Sequence, residues 1–269
     1  MNNVLFAFLL TLFAGLSTGI GGAIAFFAKR TNTKLLSISL GFSAGVMIYV
    51  SLVEIFFEAQ EILIEATTES RGELLTVIGF FAGMLLIMII DKLVPSFENP
   101  HEVRKVEEMS SKEKEKHAKD PKLMRVGIFT ALAIAIHNFP EGLATFLAAV
   151  SDPVLGVSIA IAIAIHNIPE GIAVSVPIYY ATGSRKKAFI YSFLSGLAEP
   201  LGAILGFIIL HSIMNDILFG MVFSGVAGIM VFISIDELLP TARTYGEHHL
   251  SIYGLVSGMA IMAISLLII

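Results

Sequence analysis

The chain has 269 residues, of which 56% are hydrophobic and 14% charged, and its mean hydropathy of +0.85 sets it outside the soluble range, where about a quarter of residues carry charge. The formal charge of −5 is modest and no basic stripe interleaves with aromatics, so composition gives no support to nucleic acid as a partner. The absence of cysteine excludes disulfides and thiolate ligands, and without a G-x-x-x-x-G-K-[ST] motif no ATP-driven motor is encoded.

A membrane helix needs about 20 apolar residues, and stretches of that kind run over residues 3–28, 35–57, 74–96, 123–150, 154–180, 187–212, 217–240 and 250–269. The expected fold is an all-α integral membrane protein, a bundle of eight transmembrane helices forming a single domain over residues 1–269. The first stretch has no basic n-region, is too long for a signal h-region and lacks an A-x-A site, so it is read as a retained helix. The second contains "AGVMIYVSLVE", Ala44 to Glu54, in which Met47 is either core filler or a soft thioether ligand.

After the third stretch, the segment from Asp91 to Arg125 holds nine basic and eight acidic residues. Residues 97–122 are expected to form a charged cytoplasmic linker, in which His101 and His117 read as solvated side chains or as a weak metal trap. The fourth and fifth stretches carry "AIAIHNFPEGLATF" (Ala133 to Phe146) and "AIAIHNIPEGIAVS" (Ala162 to Ser175). The polar break "SDPVLG" lies between them. The midpoint of His137 and His166 falls at Ser151 and Asp152, so each motif lies about 14 residues, or roughly 20 Å, from the same membrane surface.

The sixth stretch contributes Glu199 in "GLAEPLGA", near mid-depth. The seventh contains "AGIMVFISIDE", Ala227 to Glu237, which repeats the 44–54 segment. Glu54, Asp91, Asp236 and Glu237 fall toward the expected helix ends, where water contact or ion pairing accounts for them, or where they serve as entrance or exit stations. His211 and Asp216 flank a short outer loop and read as interfacial.

Sixteen of the seventeen basic residues fall in alternate loops, with Arg71 on the other side. The positive-inside rule then puts those loops in the cytoplasm of a multi-pass cell-membrane protein and both termini outside. Because the motif helices run in opposite directions, the repeats imply a pseudo-two-fold axis in the membrane plane, an arrangement common among secondary transporters.

On a helix, His137, Asn138 and Glu141 can project to one side, and so can His166, Asn167 and Glu170. A charged side chain at mid-membrane costs about 2.5 to 3.5 kcal/mol even on the lenient insertion scale, so both glutamates need partners. Pro140 and Pro169 lack an N–H and free the carbonyls of Ile136 and Ile165. Gly142 and Gly171 permit close approach of another helix. Imidazole, carboxylate, amide and carbonyl together suit Zn²⁺, Fe²⁺ or Mn²⁺. Such ligands bind metal deprotonated, so acid should weaken binding.

"HNFPEG" at His137 to Gly142, "HNIPEG" at His166 to Gly171 and "AEP" at Ala198 to Pro200 resemble the ZIP metal-ion transporters, in particular their bacterial ZupT type, and the eight-helix plan extends the resemblance over nearly the whole chain. The resemblance implies uptake of divalent metal into the cytoplasm, Zn²⁺ typically, with Fe²⁺, manganese, cobalt or cadmium also admitted as substrate. It implies a two-metal centre: Glu141, His166 and Glu170 in a first site with His137 and Met47 close by, and Asn138, Glu141, Asn167, Glu170 and Glu199 in a second. The linker lacks the histidine-rich tract of many family members.

The expected function is secondary transport, with the bilayer and divalent ions as partners and no organic cofactor. A passive metal channel could share every ligand. A membrane di-metal enzyme fits less well, since H-E-x-x-H and Glu-x-x-His are both absent. Oligomeric state, a homodimer included, is left open.

Overall fold

The structure, a computed structural model, describes residues 2–27, 33–93, 121–210, 215–245 and 248–268. Among the described residues every regular element is a helix: α1 (Asn2–Phe27), α2 (Thr33–Val50), α3 (Phe56–Ala66), α4 (Glu69–Leu93), α5 (Pro121–Ser151), α6 (Pro153–Thr182), α7 (Arg185–Gly196), α8 (Ala198–Leu210), α9 (Asp216–Ile233), α10 (Leu239–Tyr245) and α11 (His248–Ile268). In hydrocarbon a helix satisfies its backbone groups within its own segment, which is why apolar runs of this length take no other form.

Seven helical segments among the described residues are long and apolar enough to cross a membrane: Asn3–Ile24, Ser37–Ala66, Glu69–Ile90, Pro153–Ile172, Arg185–Ile208, Asp216–Thr244 and His249–Leu267. Helix α5, which carries the first motif, has 31 residues and so rises about 46 Å. The expected linker at 97–122 lies outside the described residues apart from its last two positions, which begin α5, and so do His101, His117 and His211.

Several helices outrun their apolar stretches. The second continues through α3 to Ala66 rather than stopping near 57, and α4 starts at Glu69 rather than 74. Glu58, Gln60, Glu61 and Glu65 are good helix formers, so the helix persists where its hydropathy falls. Only Thr67 and Thr68 remain as the connection, with Thr67 Oγ1 donating to Leu63 O at 2.5 Å. Likewise the seventh stretch runs on through α10 to Tyr245.

Two π-turns, Ser51–Ile55 and Ser234–Leu238, join α2 to α3 and α9 to α10. They occupy equivalent places in the repeated segments, since Ser51 pairs with Ser234 and Glu54 with Glu237 when the repeats are aligned. Each serine carbonyl accepts the wide-turn bond, from the amides of Phe56 and Leu239 respectively. Glu54 and Glu237 therefore sit within continuous helical segments and not at helix ends.

Asp152 alone separates α5 from α6, its side chain accepting from Val154 N at 2.7 Å. Pro153 follows at the first helical position, where its missing N–H costs nothing. Helix α6 ends at Gly183, whose φ of 63° is a left-handed cap. Helix α1 packs on α6, α5 on α6 and α8, α2 on α11, and α4 on α9, with α2 against α6 joining the two groups. The faces of α4 and α11 expose Phe81, Leu85, Tyr253 and Val256, as a lipid-facing surface requires.

Candidate metal centre

The interior inverts the usual rule that charge stays outside. Asn138, Glu141, His166, Asn167, Glu170 and Glu199 all have 0% exposure. Among the described residues one set of three metal-ligating side chains converges: Glu141, His166 and Glu170 each offer an atom within 4.8 Å of the others. The two motifs are thus brought together across the α5–α6 hairpin.

His166 Nε2 lies 3.3 Å from Glu141 Oε1, yet neither carboxylate oxygen of Glu141 has a hydrogen-bond partner. Proximity without a bonded proton is the relation expected of two ligands facing one point rather than of a donor and its acceptor.

The two asparagines are held by their amide nitrogens. Asn138 Nδ2 donates to Ser195 O at 3.3 Å, and Asn167 Nδ2 donates to Ala14 O at 2.9 Å and to Glu199 Oε1. In both, Oδ1 is buried and accepts no hydrogen bond. Fixing the nitrogen in this way leaves the oxygen available as an acceptor.

The glycines after the glutamates explain how other helices reach the centre. A Cβ on Gly142 would run into the backbone of Glu199, and one on Gly171 into Thr18 O. The first glycine lets α8 press against α5; the second lets α1 press against α6. Glu199 itself lies in the first turn of α8, just past the local turn at Leu197. Pro200, which has no N–H to donate, follows directly. The sixth span, Arg185–Ile208, is one run with a local turn at Leu197, whose backbone stays in the right-handed helical region, in keeping with the stretch expected over 187–212.

His137 lies on α5, but its side chain is outside the described residues, as is that of Asp91. Met47 is fully buried in the apolar cluster that also holds Ile163 and Met230, and packing accounts for it. Asp216 and Asp236 are exposed, Glu54 and Glu237 half-buried.

Sequence reasoning missed the part of α1. Ala14 O accepts from Asn167, Ser17 Oγ donates to the same carbonyl at 2.5 Å, and Thr18 O accepts from Ser192 at 3.1 Å. The available signal was the run of small residues from Ala14 to Gly22, which lets backbones approach closely in a membrane. Backbone carbonyls, having no side-chain signature, give no other.

The model of the family described as "ZIP Zinc transporter" matches residues 2–91 and 95–266. The chain is 64% identical to the zinc transporter ZupT of Clostridium perfringens, covering 100% of this chain and 97% of that protein. It is 65% identical to the ZupT of Oceanobacillus iheyensis, covering 100% of both. To that of Streptococcus mutans it is 64% identical, covering 97% of each. The motif helices, the polar residues buried among apolar spans and this similarity along the whole length agree: the chain belongs to the ZIP zinc transporter family, whose members are multi-pass membrane transporters and not enzymes.

Proposed function

We propose that the chain carries divalent metal, zinc foremost, into the cytoplasm through a centre formed by the two H-N-x-P-E-G helices. The observation that carries this is the surplus of buried acceptors. Glu141 Oε1 and Oε2, Asn138 Oδ1 and Asn167 Oδ1 are sealed from solvent and accept no hydrogen bond. Each unsatisfied group of this kind costs about 1–3 kcal/mol, and a cation would satisfy all of them.

In this reading Glu141, His166 and Glu170 hold one ion, with His137 beside them. Asn138, Asn167 and Glu199, with the same two glutamates, hold a second. The names of the relatives, zinc transporters, support zinc as the cargo; imidazole, carboxylate and amide also accept iron, manganese, cobalt and cadmium. Helix α5 supplies an eighth span, which together with the loop charges supports both termini outside. The paired π-turns support an inverted repeat, and alternate access follows from one helix group moving against the other around a fixed site.

The test is saturable metal uptake in proteoliposomes with Glu141→Ala and Glu170→Ala combined. Loss of uptake in a correctly inserted double variant is expected, and undiminished uptake would overturn the proposal. Non-saturating flux in the parent chain would instead indicate a pore.

A further inference from the structure

A second cavity lies apart from the polar centre. It is a crevice of about 730 Å³ between α4, α5 and α9, within the size range of small-molecule sites, about 300–1,000 Å³. Its walls include Gly83 and Leu86 of α4, Phe139 and Pro140 of α5, and Met221 and Gly225 of α9, and every described lining residue is apolar. Such a space holds no water and no ion, because neither finds a hydrogen-bond partner there.

The crevice lies within the segments Glu69–Ile90 and Asp216–Thr244 that are apolar enough to cross the membrane. It is also continuous with the lipid-facing surface of α4. Leu86 lines the crevice and is still 53% exposed, and the adjoining face of α4 exposes Leu85. A membrane crossing exposes that side to the acyl chains of the bilayer.

Gly225 shows that packing alone does not make the space. A Cβ there would meet Gly79 O at 3.5 Å and Gly83 Cα at 3.9 Å, ordinary contact distances, whereas a Cβ on Gly83 would collide with the Gly225 backbone. Gly83 is therefore needed for α4 to meet α9. Gly225 is not, and its missing side chain keeps the wall of the crevice low.

We infer that the crevice is a binding site for one hydrocarbon chain of a bilayer phospholipid, seated between α4, α9 and α5 at Pro140. Pro140 is next in sequence to Glu141, so the chain packs against the backbone that aims a buried carboxylate of the polar centre.

The chain contains no tryptophan, which permits a direct test in vesicles of phosphatidylcholine with or without brominated acyl chains. Single tryptophans are introduced as Met221→Trp in the crevice and Phe81→Trp on the outer face of α4. The expected result is quenching of both by the brominated lipid. Adding Gly225→Phe, or Gly225→Leu should the larger residue impair folding, should roughly halve quenching of the crevice tryptophan and leave the Phe81→Trp signal unchanged. An unquenched Met221→Trp beside a quenched Phe81→Trp would mean that protein, a second copy included, covers the crevice, and overturns the inference. Quenching at Met221→Trp that ignores the Gly225 substitutions overturns it too. Fluorescence reports neither metal nor uptake, so this outcome is independent of the transport proposal.

Discussion

Glu141, the residue on which the proposed transport centre most depends, is costly to the fold. Both carboxylate oxygens are buried and accept no hydrogen bond, which ordinary packing would select against. Glu141→Gln keeps the shape, removes the charge and adds donors to a site rich in acceptors. The detergent-solubilised, metal-free variant is expected to be more stable by about 1 kcal/mol, read as a higher Tm, while its metal uptake falls severely; lower stability with normal uptake would contradict the acceptor argument. Gly142→Ala tests the approach of α8. Its methyl would have to occupy the position of the Glu199 backbone, so a loss of about 1–3 kcal/mol is expected from overpacking, together with loss of uptake. The motif residues were legible in the sequence because a carboxylate in an apolar run is anomalous on its face. Ala14 O and Ser195 O were not, because any residue type offers the same carbonyl.

At the scale of elements, the π-turns make a sharp case. A π-turn takes up one extra residue without changing the faces of the helix on either side, and such bulges gather at functional sites. Deleting Leu52, which lies in the turn Ser51–Ile55 and is 41% exposed, should convert the turn to regular α-helix and leave the fold intact. Deleting Ala44, fully buried in α2, should instead rotate all that follows by about 100° and prevent folding. Expression and thermal unfolding of the two deletions compare them; equal damage would argue against the bulge geometry. The repeat of segments 44–54 and 227–237 was visible in the sequence, but the π-turns were not, since their wide hydrogen bonds depend on what packs around them. The lengths of α3 and α10 were misjudged for a related reason: hydropathy marks where lipid ends, whereas helix formers such as Glu58 and Glu61 carry the helix onward.

For the whole molecule, the loop charges make a testable prediction of orientation. With no native cysteine, Lys186→Cys gives a single label in the first turn of α7, two residues past Ser184. A membrane-impermeant maleimide should label it in inverted vesicles and not in right-side-out ones, as the positive-inside rule requires; the opposite pattern would reverse the assigned topology and the direction of uptake with it. The local turn of the sixth span at Leu197 belongs to this scale as well. Its right-handed helical backbone keeps the crossing in one run and carries Glu199 into the buried centre, where Asn167 Nδ2 donates to the carboxylate.

The membrane class, the helical content and the nitrogen and oxygen character of the motif side chains were determined by the sequence alone. Hydropathy, helical rise and donor chemistry are properties of a segment and need no neighbour. Only the tertiary structure decided that Glu141, His166 and Glu170 converge, that Asn167 joins Ala14 to Glu199, and that a dry crevice opens beside Pro140. Those outcomes depend on which backbones meet. In a chain rich in glycine and alanine many close approaches are open to each helix, and only packing of the whole bundle selects among them.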